Sequence, residues 1–222
     1  MSNLSVILTI AALCIATLVF GLWPNLDIAV AASFHQSGAF WGASLWARSY
    51  RAFFYWLPFV VLAYALLVWA LKQRGRALPG SDWFTGRGLA FMALTMALGP
   101  GLLVNAGLKD HWHRPRPAQI EEFGGPMQFR PIWRGDGACA TNCAFVSGEV
   151  SASAWLIAPA MLAPPPLRVP AVATALVMTA LTALGRMAFG GHFLSDAIFA
   201  LLLTLLVVQV CYRWFFSGRG RT

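Results

Sequence analysis

Apolar positions fill this chain in long, nearly unbroken runs, and polar residues gather where the runs end. A soluble amphipathic helix would show an apolar stripe beside a polar face; runs that are apolar all round match helices surrounded by protein or lipid. Crossing a bilayer takes about 20 mostly apolar residues. Six runs stand out: Leu4 to Trp23, closed by Pro24-Asn25; Ala52 to Leu71, stopped by Lys72, Arg74 and Arg76; Leu89 to Leu108; about Val150 to Ala163, ended by Pro164-Pro165-Pro166; Val169 to about Leu184; and Phe193 to Phe216. Gly99-Pro100-Gly101 is expected to kink or locally unwind the third run, because proline removes a backbone donor inside the helix. The fourth run is short, and its first turns are expected to lie in a loop. The predicted fold is all-α: one membrane bundle of about six transmembrane helices spanning residues 1–222.

Composition supports that setting. The chain is 59% hydrophobic and 11% charged, with mean hydropathy +0.65, whereas a soluble domain is about 25% charged. The first run could be read as a signal peptide, since Ala29-Val30-Ala31 resembles a small-residue cleavage site. It lacks a positive charge before it and exceeds the usual apolar core of about 7 to 15 residues, so it is expected to stay as helix one.

Six spans put both termini on one side of the membrane, together with the Lys72–Arg87 loop, Arg168, Arg219 and Arg221. The positive-inside rule makes that side cytoplasmic and turns the other side outward. Lys109, Arg114, Arg116, Arg130, Arg134 and Arg186 fall on the outward side and count against the rule unless they serve a site. The net charge of +8 comes from residues flanking spans rather than from a basic stripe. The expected partners are therefore lipid head groups and the bilayer, and no nucleic acid. The aromatic stretch from His35 to Tyr50 reads as interfacial, and the loop from Ala118 to Asn142 as a surface loop or a wall of a site.

Cys14 and Cys211 lie in apolar spans and read as packing residues. Cys139 and Cys143 sit in the outward loop and could form a disulfide in an oxidising compartment or stay as two thiols. Their spacing with His111 and His113 matches no zinc pattern, so no metal is expected.

Three short polar clusters carry the candidate chemistry. Lys109 and, seven residues on, Arg116-Pro117 place two cations at the mouth of the bundle, where a phosphate would suit both; interfacial snorkelling is the plain alternative. Ser147-Gly148-Glu149 opens a helix whose N-terminal N–H groups could face an anion, or Ser147 could simply cap it. Arg186, His192 and Asp196 form the most specific cluster. With the last helix starting near Gly191, His192 and Asp196 share a face at i and i+4, so the carboxylate could take one ring proton and leave the other nitrogen free to attack.

Lys109-x6-Arg116-Pro117, Ser147-Gly148 and Arg186-x5-His192-x3-Asp196 together resemble the three-part signature of the type 2 phosphatidic acid phosphatase superfamily. The resemblance implies a metal-independent lipid phosphatase, with no cofactor. His192 would be a nucleophile forming a phosphohistidine, with Asp196 orienting it. Lys109, Arg116, Arg186, Ser147 and Gly148 would bind the phosphate oxygens. The second motif departs from the family's Pro-Ser-Gly-His: Val146-Ser147-Gly148-Glu149 puts a glutamate where the family has the histidine that protonates the leaving oxygen. Glu149 could take that role if burial raised its pKa, although nearby cations push the other way. His111 and His113 could substitute or act as supporting residues.

The expected activity is hydrolysis of a lipid phosphate or diphosphate at the periplasmic face of a bacterial inner membrane, with lipid A or undecaprenyl diphosphate as candidate substrates. Two alternatives use the same residues: a lipid phosphotransferase working through His192, and a lipid-phosphate binding or transport protein without catalysis. The oligomeric state is left open.

Overall fold

The computed structural model describes residues 3–76, 78 and 81–217. The basic tail residues Arg219 and Arg221 lie outside these. Among the described residues nine α-helices follow in order: α1 Asn3–Leu22, α2 Asn25–Ser33, α3 Leu45–Gln73, α4 Gly86–Met96, α5 Lys109–His111, α6 Gly148–Ala154, α7 Ile157–Leu162, α8 Pro165–Ala188 and α9 Leu194–Phe216. A π-helical segment, Ala97–Leu108, joins α4 to α5. Among the described residues β structure is limited to two isolated bridges, Gln36 with Ala39 and Ile120 with Met127, so the fold is all-α.

Among the described residues five helices are, each by itself, long and apolar enough to cross a membrane: α1, α3, α4 with its π-helical continuation, α8 and α9. Their outer faces carry exposed large side chains such as Leu4, Ile7, Leu18, Phe53, Val60, Leu67 and Val177, an arrangement suited to lipid and hostile to water. The sixth expected span is broken in two. Residues 148–162 form the pair α6 and α7, each too short to span alone; together they run the length of the bundle, from Ser147 beside the polar clusters to Leu162, whose Cδ1 would lie 3.1 Å from a Cβ on Gly88 at the start of α4. Pro159 explains the break, because it has no N–H to offer the carbonyl four residues back, at Trp155. That carbonyl instead accepts from the N–H of Ala158 at 2.7 Å. The Trp155 indole N–H is anchored on α4, at 3.0 Å from both the Met92 carbonyl and Thr95 Oγ1.

Two other elements differ from their sequence limits in ways that shape the site. The helix expected from Ala52 begins at Leu45, because Ser44 caps it by accepting from the Ala47 N–H at 3.1 Å. Arg51 therefore sits inside a helix, nearly two turns from its start. In the third run, Gly99-Pro100-Gly101 leads into π-helical geometry, and Asn105 Nδ2 donates to the Pro100 carbonyl at 2.7 Å, satisfying an acceptor in the widened turn.

Two apolar cores stack along the bundle. One, centred on Phe91, Met92, Trp155, Ile157 and Val208, joins α4, α6–α7 and α9. The other, with Ala16, Phe20, Val104, Val146, Val150, Phe199 and Ala200, packs α1 and α9 beneath the polar clusters. Ser151 and Thr204, 2.6 Å apart, and Thr182 and Ser153, 3.0 Å apart, tie the helices through buried hydroxyls; such pairs satisfy polar groups that lipid cannot.

Candidate active site

The α8–α9 connection builds the centre of the site. Gly190 turns the chain with φ +62°, a conformation that suits glycine. The guanidinium of Arg186 lies against Gly191, close enough that a Cβ there would collide with it. His192 follows, 2% exposed, and Asp196 closes the first turn of α9, where its Oδ2 accepts from the Phe193 N–H at 2.8 Å. His192 and Asp196 do share a face, but their nearest approach, Nδ1 to Oδ2, is 3.7 Å, too long for a hydrogen bond. Nδ1 lies instead 2.8 Å from the Ala144 carbonyl. A carbonyl only accepts, so Nδ1 carries the proton and Nε2 keeps its lone pair. Burial lowers His192 to about 4, the Arg186 charge adding to the effect and Asp196 opposing it. At neutral pH the ring is uncharged, the form a nucleophile needs.

Beneath His192 lies a charge network outside the three clusters. Arg114 is completely buried. Its Nη1 donates to Asp196 Oδ1 at 2.5 Å and to Ser195 Oγ at 2.8 Å, its Nη2 to Asp27 Oδ2 at 2.7 Å, and its Nε to the Arg130 carbonyl at 2.8 Å. The rings of Phe193 and Phe129 cover the guanidinium at 4.4 and 5.5 Å. Asp27, on α2, also accepts from the Ser195 N–H at 2.9 Å and from its hydroxyl at 2.5 Å. The Ala144 N–H donates to the Arg114 carbonyl at 2.8 Å, so one residue positions both the carboxylate behind His192 and the carbonyl that orients it. One signal pointed to Asp27: it is the first acidic residue in the chain, and the next is Asp82. Arg114 was visible only as one of several basic residues.

The helix opened by the second cluster lies alongside. Ser147 caps α6, its hydroxyl accepting from the Val150 N–H at 3.4 Å, as its plain reading had it. Gly148 has no room for a side chain, since a Cβ would lie 2.5 Å from Asn105 Oδ1. Glu149 is held by two arginines. Arg51 Nη2 and Nε donate to its Oε1 at 2.7 and 3.0 Å, and Arg186 Nε stands 3.7 Å from the same oxygen. Burial alone would raise the Glu149 carboxyl, but the Arg186 charge and the Arg51 hydrogen bond outweigh it and hold it below its ordinary value. In this geometry Glu149 is a carboxylate. Arg51 belongs to none of the three polar clusters, although an arginine at the head of an apolar span is a functional signal in its own right.

Lys109 and Arg116 complete the cationic rim. Lys109 and Glu149 line one cavity with Arg51 and Asn142, while Arg116 Nε and Nη2 donate to the Asn142 carbonyl at 3.1 and 2.7 Å. Arg186 Nε is buried without a hydrogen-bond partner among the described residues, as suits a group that faces an anion. His111 and His113 are drawn elsewhere: their Nδ1 atoms lie 2.8 Å from the Gly107 carbonyl and 3.0 Å from the Cys139 carbonyl. The sulfurs of Cys139 and Cys143 stand 2.19 Å apart with Cα atoms at 5.7 Å. Among the described residues no group of three or more His, Cys, Asp or Glu side chains could hold a metal ion.

The arrangement offers a neutral, oriented imidazole with cations on one side and a buried pair of carboxylates on the other. Phosphoryl transfer to nitrogen draws on both: cations for the equatorial oxygens, and negative charge for the imidazolium that forms.

Comparison with known proteins gives a consistent picture. The family described as PAP2 superfamily matches residues 88–219. Over 96% of both chains the sequence is 33% identical to a lipid A 4'-phosphatase of Francisella tularensis subspecies novicida. It is 37% identical to a lipid A 4'-phosphatase of Rhizobium leguminosarum, over 71% of this chain and 67% of that one. A lipid A 4'-phosphatase of Rhizobium etli is 36% identical over 71% of this chain and 61% of that one. No solved structure matches.

Proposed function

The chain belongs to the PAP2 superfamily, and from that membership we propose that it is a bacterial membrane phosphatase that removes a phosphate monoester from the sugar head group of a lipid A-type substrate. The single observation that carries the reading is the buried His192, its Nδ1 held on the Ala144 carbonyl, standing between the Arg186 cation and the Asp27–Arg114–Asp196 network. The near full-length similarity to a protein named lipid A 4'-phosphatase supports the substrate.

In the proposed mechanism Nε2 of His192 attacks phosphorus, the N–P bond forms, and the P–O bond to the sugar breaks with its electron pair left on oxygen. That oxygen takes a proton from water at the mouth of the site. A second water then attacks the phosphohistidine, loses a proton to solvent, and the N–P electrons return to Nε2, so the cycle is neutral in protons. Arg186, Arg116, Lys109, Ser147 and the N–H groups at the start of α6 stabilise the transferring phosphoryl group. Asp196 stabilises the phosphorylated imidazolium through space, and the Ala144 carbonyl fixes its orientation. Water supplies the acceptor, which favours hydrolysis over transfer to a second lipid.

We assign the site to the periplasmic face, with the termini in the cytoplasm. All three clusters converge at one end of the bundle, and Lys72, Arg74, Arg87, Arg168 and Arg213 collect at the other. The paired Cys139 and Cys143 sulfurs in the loop over the site suit an oxidising compartment.

The test of the reading is inorganic phosphate release by the purified protein from 4'-phosphorylated lipid A, undecaprenyl diphosphate and phosphatidic acid. Release from lipid A alone, or with clear preference, is expected; preference for either of the others overturns the substrate assignment. In the same assay Glu149→Gln is expected to slow alkyl and activated aryl phosphates by similar factors, about 10- to 100-fold, because it loosens Arg51 and Arg186 rather than removing an acid. A much larger loss on the alkyl ester would make Glu149 the proton donor after all.

A further inference from the structure

Beside the phosphate site, between α3, the π-helical segment and α6, lies a cavity of about 510 Å³. Its mouth is polar, formed by Arg51, Asn105, Lys109, Asn142 and Glu149. Its floor is apolar, formed by Phe59, Met96 and Pro100, with the Tyr55 ring between the two zones and against Phe59, their centroids 5.7 Å apart. Phe59 follows Arg51 by two turns of α3, which sets the floor about 12 Å below the mouth at ~1.5 Å per residue. Glu149 stands at the boundary: Arg186 reaches its carboxylate from the phosphate side and Arg51 from the cavity side.

Resting on the phosphatase reading above, we propose that this cavity is the leaving-group subsite and that it selects an acylated amino sugar over a glycerol or polyprenol. The amides of Asn105 and Asn142, the Glu149 carboxylate and the Arg51 guanidinium offer both donors and acceptors to ring hydroxyls and to the amide of an N-acyl group. The Tyr55 ring offers a flat face to the sugar, and the floor takes the first carbons of the acyl chain. The volume lies within the ~300–1,000 Å³ usual for small-molecule sites, enough for one sugar ring with its acyl stem rather than a whole glycolipid. A diacylglycerol or polyprenyl leaving group lacks the hydroxyls and amide that would satisfy the polar mouth, and groups left unpaired in such a site weigh heavily in selectivity. The π-helical turn is what admits the sugar: it brings Asn105 against Gly148 and leaves Gly101 and Pro100 as a cavity wall without bulk.

Gly101, on the π-helical segment, and Ala152, on α6, line opposite walls of the cavity, and the substitutions Gly101→Leu and Ala152→Met test this. A Cβ at Gly101 meets only the Met96 carbonyl oxygen, at 3.4 Å, so the backbone tolerates it while the added bulk narrows the cavity. Each variant is expected to lose at least about tenfold more kcat/KM on 4'-phosphorylated lipid A than on p-nitrophenyl phosphate, mainly through KM. Equal losses on the two substrates, or none on the lipid, overturn the subsite while the phosphatase reading stands. A wild-type protein inactive on every lipid phosphate overturns both. A measurement independent of variant folding uses wild-type protein with p-nitrophenyl phosphate: dephosphorylated lipid A should inhibit competitively and diacylglycerol should not. Equal inhibition by the two would refute sugar selection.

Discussion

Replacing His192 with alanine is expected to lower phosphate release from the lipid substrate by at least about 10⁴-fold, since the variant lacks the atom that accepts the phosphoryl group in the proposed mechanism. Rapid quenching of the wild-type reaction should trap protein-bound phosphate that is labile to acid and stable to base, as an N–P bond is, and His192→Ala should trap none. Inorganic phosphate should still bind the variant, because Arg116, Lys109 and the α6 N-terminus are untouched. Substantial turnover by His192→Ala would remove this residue from the chemistry. The pH dependence supplies a second arm. Burial places His192 at about 4 rather than 6.5, so the ring stays neutral, and nucleophilic, through the range where an ordinary histidine gains its proton. With the substrate's own ionisation divided out, kcat/KM should hold as pH falls past 6.5 and decline only on approach to 4. A decline centred near 6.5 would mean that the ring is solvated and lacks the environment described above.

The second large effect is expected at Arg114. With its guanidinium removed, as in Arg114→Met, two carboxylates remain buried without their counter-ion: Asp27 is 1% and Asp196 0% exposed. Breaking a buried ion pair by deleting one partner typically costs about 3–5 kcal/mol, and here one cation serves both anions. A fall in Tm on the order of 10 °C in detergent is expected, together with loss of phosphate release. Arg114→Lys should recover little, because the fork of the guanidinium meets Asp27, Asp196, Ser195 and the Arg130 carbonyl at once and a single ammonium cannot. Asp27→Asn should be milder, since Arg114 keeps Asp196 and Ser195 keeps a hydrogen-bond acceptor. An Arg114→Met protein as stable as wild type would show that the network contributes little to the fold.

Much of this site was legible in the order of residues. Lys109, Arg116, Ser147, Gly148, Arg186, His192 and Asp196 could be picked out because charge is scarce in an apolar chain and because fixed spacings on a helix put side chains on one face. The same periodicity located five of the spanning helices within a few residues at most of their ends, the α3 start apart. It missed the break between α6 and α7, where Pro159 divides a run that hydrophobicity alone leaves whole, and the start of α3, where a single serine cap lies about two turns before the apolar run begins.

What the chain order could not hold was any relation between distant segments. Asp27 and Ser195 are 168 positions apart, Arg51 and Glu149 are 98 apart, and Arg114 and Asp196 are 82 apart. No local pattern joins them. Hydropathy and helical spacing act over a turn or two, so by themselves they determined a membrane bundle with its polar clusters at the ends of spans, and they paired His192 with Asp196. Only tertiary packing decided that the His192 ring bonds to a backbone carbonyl, that Asp196 answers first to Arg114, and that Glu149 is clasped by arginines from two other helices. In a low-dielectric interior a charge takes its state from whichever group lies within a few ångströms, and that neighbour is chosen by the fold.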